Sequence, residues 1–175
     1  MKSARRRSRE FALQALYQWQ LAGQSLADIE QQYAAAEGFA KADSALFSVI
    51  LSGVLKHAET LKEKLLPHLD RPWKEVSPIE SGILLIGAFE LIHLPETPYR
   101  VIINEAIELA KSFGGTDGHK YVNGVLDKLA AVVRADEIAF QNENPTPRKP
   151  RAGSSAKAAA PAPTVTVKTR RVTKA

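Results

Sequence analysis

The stretch that most constrains this chain is Ser77–Leu91, SPIESGILLIGAFEL. Ser77, Pro78 and Glu80 together form a strong helix start: a capping serine, a proline at the first helical position and an acid at the third. The residues that follow, GILLIGAFELI, are apolar almost all round. A helix without a polar face must be buried on most sides. It is too short for the roughly 20 apolar residues of a membrane span. It therefore predicts a central helix of a globular core, with other helices packed around it. Pro95 stops it and Pro98 opens the next helix.

That next stretch, Val101–Leu129, predicts two helices around a glycine break. Ile103, Ile107 and Ala110 share one face of the first helix, flanked by Ile102 and Ala106. Gly114-Gly115 is expected to end it in the left-handed conformation that glycine adopts freely. Thr116 or Asp117 is expected to cap the second helix, whose stripe is Val122, Val125, Leu126, Leu129 and Val133. Lys111, Asp117, His119, Lys120, Tyr121 and Asn123 gather at the corner, where a helix N-terminus offers free N–H groups to an anion. A capped turn with a solvated face is the competing account.

Three further helices are predicted upstream. Arg5–Leu21 carries Ala12, Ala15, Leu16 and Trp19 on one face, with Phe11 beside them, and Gly23 ends it. Ser25-Leu26-Ala27-Asp28 matches a capping box and predicts a helix to about Glu37, broken by Gly38. Asp43 or Ser44 caps a third, in which Phe47, Ile50, Leu51, Val54, Ala58, Leu61 and Leu65 keep helical spacing and Pro67 closes the last turn. The expectation is an all-α fold of two packed three-helix subdomains, 10–70 and 71–141. A basic arm, 1–9, leads into the first helix, and a basic disordered tail occupies 142–175.

Charge is distributed unevenly. Residues 1–9 hold five Lys and Arg and no acid; residues 144–175 hold eight and no acid. All 19 acids lie between, where they outnumber the bases by eight. An acidic body with basic ends favours a polyanion at the ends and other partners elsewhere. Arg5, Arg6, Arg7 and Arg9 fall at a helix start, the unfavourable end of the dipole for cations. No acid precedes Glu10 to pair with them. An external polyanion would account for them; a solvated start is the plainer alternative.

Catalysis is not expected. The four histidines lack metalloprotease spacing, and no phosphate-binding glycine loop follows a strand. Glu105 and Glu108 lie three apart on a helix, without the histidine partner of a di-metal site. No cofactor or metal is implied. With no Cys there is no disulfide or thiolate site, and the basic start lacks an apolar signal region. A cytoplasmic protein with no membrane contact is expected.

Three pieces together resemble the NusB family of transcription antitermination factors: the start RRRSREFALQALYQWQ, and the paired INEAIELAKSFG and HKYVNGVLDK. Ser77–Leu91 sits where that family has its central helix, with Glu80 and Glu90 at matching positions. The resemblance spans about residues 3–138. It implies an all-helical protein of two three-helix subdomains. It implies binding to boxA RNA of ribosomal RNA operon leaders together with NusE, a small-subunit ribosomal protein, to build an antitermination complex on RNA polymerase. By the same resemblance Arg5, Arg6, Arg7 and Arg9 lie against RNA, Tyr17 is tied to RNA binding, and Phe113, Asp117, Lys120 and Tyr121 help form the RNA surface at the helix junction. Lys111 joins that surface from its place beside the junction. Glu80 is implied in the NusE contact. Arginines that neutralise phosphates and aromatics that stack unpaired bases suit single-stranded RNA. Two alternatives are a docking module with a basic arm and no RNA specificity, and the RNA-binding lobe of an rRNA methyltransferase. The second lacks the glycine-rich cofactor loop it would need.

Overall fold

The computed structural model describes residues 1–145, and among them there are seven α-helices and no strand. The segment expected to be a disordered tail lies outside the described residues from 146 onward, whereas Asn142 and Glu143 belong to the last helix.

Local signals set most of the helix ends. Helix α1, Ala4–Ala22, starts where Ser3 accepts the Arg6 N–H at 3.2 Å. It ends at Gly23, whose φ of 62° lets its N–H reach the Trp19 carbonyl at 2.9 Å. Helix α2, Leu26–Ala34, has its expected cap, with Ser25 accepting the Asp28 N–H. It stops short of Glu37: the chain turns at Ala35 and passes Gly38, at φ 82°, into a 3-10 turn at Phe39–Lys41. Helix α3, Ser44–Leu65, is capped by Asp43, which accepts the Leu46 N–H at 3.0 Å. Two short 3-10 turns, Leu66–His68 and Trp73–Glu75, lead to α4, Pro78–His93, which Ser77 caps.

Every residue from Ser81 to Leu91 is buried, as an all-apolar helix requires. Helix α4 packs against α1 and α3 and also against α5, Tyr99–Phe113, and α6, Gly118–Val133. Close approach is set by missing side chains. A Cβ on Gly53 of α3 would overlap the Phe89 ring, one on Gly82 would stand 2.9 Å from Leu13, and one on Gly87 would stand 2.7 Å from Leu126. Each fully buried Leu or Ile in this seam contributes about 1.5–3 kcal/mol. Met1–Asn144 forms one compact unit around it.

A seventh helix, α7, Ala135–Glu143, lies beyond what the sequence pattern predicts. The break before it falls at Arg134, which leaves helical conformation at φ −127° and turns inward. Its guanidinium donates to the carbonyls of Leu91 at 2.6 Å and Leu94 at 3.0 Å, and to the Glu137 carboxylate at 2.6 Å. Arg134 thereby satisfies the Leu91 carbonyl, whose expected partner Pro95 has no N–H, and adds a donor to the Leu94 carbonyl, which also accepts the Thr97 N–H at 3.1 Å. Glu137 in turn accepts the Tyr99 N–H at 3.0 Å and so serves as the side-chain cap of α5.

At the α3–α4 seam His57 and His93 stack with ring centroids 4.7 Å apart, and Phe89 stacks on His93 at 5.1 Å. Partial desolvation by the stacked rings, and then the neighbouring His57, push the His93 pKa below its ordinary value, and because the ring keeps an exposed edge the linked stability effect is small. The unfolded chain takes its proton near pH 6.5, so this stabilising term is complete above that pH. It is lost as pH falls through the lower folded-state value. Urea midpoints of the wild type and His93→Gln are therefore expected to converge as the pH is lowered from 7.5 to 5. Parallel curves across that range would show that His93 is not the titrating group.

Candidate nucleic-acid interface

The arginine-led start of α1 lies against α5, and the consequence differs for each arginine. Arg5 is exposed, with a long 3.5 Å approach to the Thr97 hydroxyl. Arg6 is half-buried and donates to both oxygens of Glu105 at 2.9 Å, with Glu108 at 3.6 Å. Arg7 is half-buried. Arg9 is not a surface residue at all. It is 2% exposed and forms a two-pronged ion pair with Glu90, itself 1% exposed, at 2.9 and 2.6 Å.

The expectation that Arg9 lies against RNA is therefore corrected. One turn separates it from Ala12 and Leu13, and it points into the core along their stripe. No acid precedes Glu10 in the sequence, but the fold brings Glu105 and Glu108 to Arg6 from about a hundred residues away. Those two glutamates carry no metal signature in the sequence. Their shared helix face, set beside an unpartnered arginine run, is the signal that could have matched them.

Arg9 meets Glu90 while Leu13 meets Gly82, so α1 runs antiparallel to α4. Tyr17 is therefore carried towards the end of the molecule where α4 begins. It is 39% exposed and lies nearly in line with Arg6, about 16 Å further along the helix. Helix α5 continues the surface: Lys111 pairs with Glu108 at 3.3 Å, and Phe113 is 36% exposed at the last turn.

The junction after α5 is built differently from expectation. Gly114 has φ −90° and ψ 178°, an extended rather than left-handed residue. Glycine is needed there because a Cβ would stand 2.7 Å from the Ala110 carbonyl oxygen. Asp117 occupies the position before α6 but makes no side-chain cap; its carboxylate pairs with Lys120 at 3.0 Å in the open. Gly118 leaves room for another carboxylate, since a Cβ there would stand 2.9 Å from Glu80 Oε1. Glu80 thus turns towards the start of α6, where the dipole favours an anion. The Glu80 N–H does bond Ser77, but no return bond from the Glu80 carboxylate to Ser77 is present, so the expected capping box is half formed.

Tyr121 is not an open stacking platform. The Arg71 guanidinium covers its ring at 4.3 Å from the centroid, held there by Asp70 at 2.8 Å. The Tyr121 hydroxyl is buried with no hydrogen-bond partner, and burial raises its pKa above the ordinary value. The ring borders a cleft of about 190 Å³ with His68, Asp70, Lys120 and Lys128. The site residues therefore fall into two groups. Arg5, Arg6, Lys111 and Phe113 follow α5, while Tyr121, Lys120, Arg71 and Glu80 surround the start of α6.

Removing one member of a buried ion pair leaves the other uncompensated, at a cost of about 3–5 kcal/mol. Arg9→Met is expected to lose stability on that scale in urea unfolding. The double variant Arg9→Met/Glu90→Met should lose far less than the sum of the two single changes. A fold-neutral Arg9→Met that lost only RNA affinity would return Arg9 to the binding surface.

Comparison with known proteins agrees with this architecture. The NusB family model matches residues 6–131. The transcription antitermination protein NusB of Dechloromonas aromatica is 58% identical over 142 residues, covering 81% of this chain and 87% of that protein. That of Burkholderia lata is 60% identical over 136 residues, covering 78% and 94%. Among solved structures, T. maritima NusB superposes with a TM-score of 0.68 at 26% identity, covering 79% of this chain and 99% of that one. A chain from a crystal structure of antitermination factors NusB and NusE in complex with dsRNA shares the fold, with a TM-score of 0.60 at 21% identity and coverage of 71% and 93%. With its family model matched over most of its length and relatives at these identities, the chain belongs to the NusB family.

Proposed function

We propose that this chain, as a transcription antitermination factor, holds boxA-type single-stranded RNA on the surface formed by α1, α5 and the α5–α6 junction. A NusE-like ribosomal protein binds beside Glu80. The pair joins an antitermination complex with RNA polymerase in the cytoplasm. The chemistry is binding rather than catalysis. No described helix is long and apolar enough to cross a membrane.

The observation that supports this reading most is the gathering of cations and exposed aromatics along one pair of helices. Arg5, Arg6 and Lys111 supply charge for phosphates, and Tyr17 on α1 and Phe113 on α5 offer exposed apolar faces. Such a combination suits unstacked bases on a charged track. Tyr121 joins the surface only when Arg71 moves off its ring. Among the structural relatives, NusB and NusE occur in complex with dsRNA, and a pairing of the same kind is proposed here.

Replacing Arg5, Arg6 and Arg7 together by Ala tests the RNA surface. The slope of log K against log salt on single-stranded RNA should fall by about 0.7 for each phosphate that is no longer neutralised. Matched and scrambled RNA should weaken by similar factors in filter binding. An unchanged slope would remove the arginines from the interface.

Glu80→Lys tests the division between surfaces. A lysine there places a cation in the first turn of α4 and beside the start of α6, costing up to about 1–2 kcal/mol of stability. With folding verified by circular dichroism, affinity for a NusE homologue in calorimetry is expected to fall much further than affinity for RNA. Equal losses in the two would mean that Glu80 acts only through the fold.

A further inference from the structure

We propose that the cleft between α6 and the turn after α3 is a slot for one unpaired nucleotide of RNA, and that Arg71 is its movable cover. The slot belongs to the RNA surface proposed above and stands only if that reading does. It adds the place where a single base enters and the residue that admits it.

The first support is a glycine without a packing role. Within the helices, Gly53, Gly82, Gly87 and Gly118 each sit where a Cβ would collide with a neighbour. Gly124, in the middle of α6, does not: a Cβ there would meet nothing within 4 Å. Glycine is the poorest helix former after proline, so a glycine here costs helix stability and gains no close approach. It leaves bare backbone along the cleft of about 190 Å³, which is lined by His68 and Asp70 from the turn and by Lys120, Tyr121 and Lys128 from α6. Drug-sized sites run to about 300–1,000 Å³, so a cleft of this size admits one planar ring rather than a folded segment.

The second support is the state of the cover. The Arg71 guanidinium lies 4.3 Å from the Tyr121 ring centroid. Its tether is Asp70 at 2.8 Å, and the two side chains are 41% and 61% exposed. An ion pair that open is weak and screened by salt. Beneath it the Tyr121 hydroxyl is buried without a partner. A closed cover that leaves a buried donor unsatisfied is poised to open, because the hydroxyl regains a partner when Arg71 swings out. The uncovered ring is then a platform for an unstacked base, and the guanidinium plane can close again on the base's outer face. Lys120 and Lys128 stand about 12 Å apart along α6. They flank the ring, as the phosphates on either side of a splayed nucleotide require. Lys120 exchanges its open pair with Asp117 for one of them.

The test uses the full-length chain and two substitutions at one position. Gly124→Leu fills the cleft and Gly124→Ala leaves most of it open. Both improve helix propensity, so the melting temperature should hold or rise. In fluorescence anisotropy on single-stranded boxA RNA at fixed salt, Gly124→Leu should lose about tenfold or more in affinity, the worth of one stacked base. Gly124→Ala should stay close to the unmodified chain. Asp70→Asn releases the cover and removes an acid beside the strand, and should tighten binding about two- to fivefold. 5-Iodouridine placed singly along the RNA should crosslink to the peptide that carries Tyr121 from one position, and Gly124→Leu should abolish that crosslink. Unchanged affinity and crosslinking in a folded Gly124→Leu would overturn the slot, and weaker binding by Asp70→Asn would overturn the cover. Loss of affinity for a NusE homologue with RNA binding unchanged would also overturn the slot, by giving the cleft to a protein partner. Failure of the functional reading has a separate signature: the unmodified chain would show no preference for boxA over scrambled RNA, and Arg5/Arg6/Arg7→Ala would leave its affinity unchanged.

Discussion

A helix buried on nearly every face carries a carboxylate, Glu90, in the buried part of its last turn. Glu90 is 1% exposed, and the Leu91 carbonyl faces Pro95, which has no N–H to offer it. An unpaired buried carboxylate would cost several kcal/mol, and an unsatisfied carbonyl about 1–3 kcal/mol. Two arginines from distant parts of the chain meet the need: Arg9 from α1 binds the Glu90 side chain, and Arg134 from the α6–α7 break binds the backbone. Burying α4 therefore requires α1 and the end of α6 to be docked in one register. The pair need not be worth more than an apolar substitute would be. Its effect is to fix which way α1 runs and where α7 begins, and so where the arginine-led start of α1 lies.

What is legible in the sequence is what short-range chemistry determines. The buried character of α4, the serine caps of α2 and α4, the Asp43 cap and the Gly23 stop all depend on residues within one turn, and each appears as expected. What is not legible depends on residues far apart in the chain. Gly114 looks like a left-handed stop but is extended, because the constraint there is the space beside the Ala110 carbonyl. Glu80 looks like the second half of a capping box, but a nearby helix start draws its carboxylate away. Arg9 is the recoverable case. It stands three, four and seven residues before Ala12, Leu13 and Leu16, so the helical period already puts it on the buried stripe. Grouping it with Arg5–Arg7 by charge conceals that.

On the proposed RNA surface, the corrected arginine inventory changes how affinity would arise. Arg6 already holds two carboxylates, so a phosphate arriving there exchanges one anion for another rather than filling an empty site. That exchange gains less Coulomb energy than a bare count of arginines suggests. In return, the guanidinium is held in place before binding, which reduces the side-chain entropy given up on association. The carboxylates also set a threshold: a lone polyanion must compete with Glu105 and Glu108 at each approach. Net affinity must then come from groups without an internal anion, such as exposed Arg5, and from the apolar faces of Tyr17 and Phe113. Such interactions are individually weak and widely spaced, so they discriminate only when one strand engages several at once. A second ligand fixed near Glu80 would raise the effective concentration of that strand rather than create new interactions. On the proposed surface, the acids that oppose RNA would then help to reject the wrong strand.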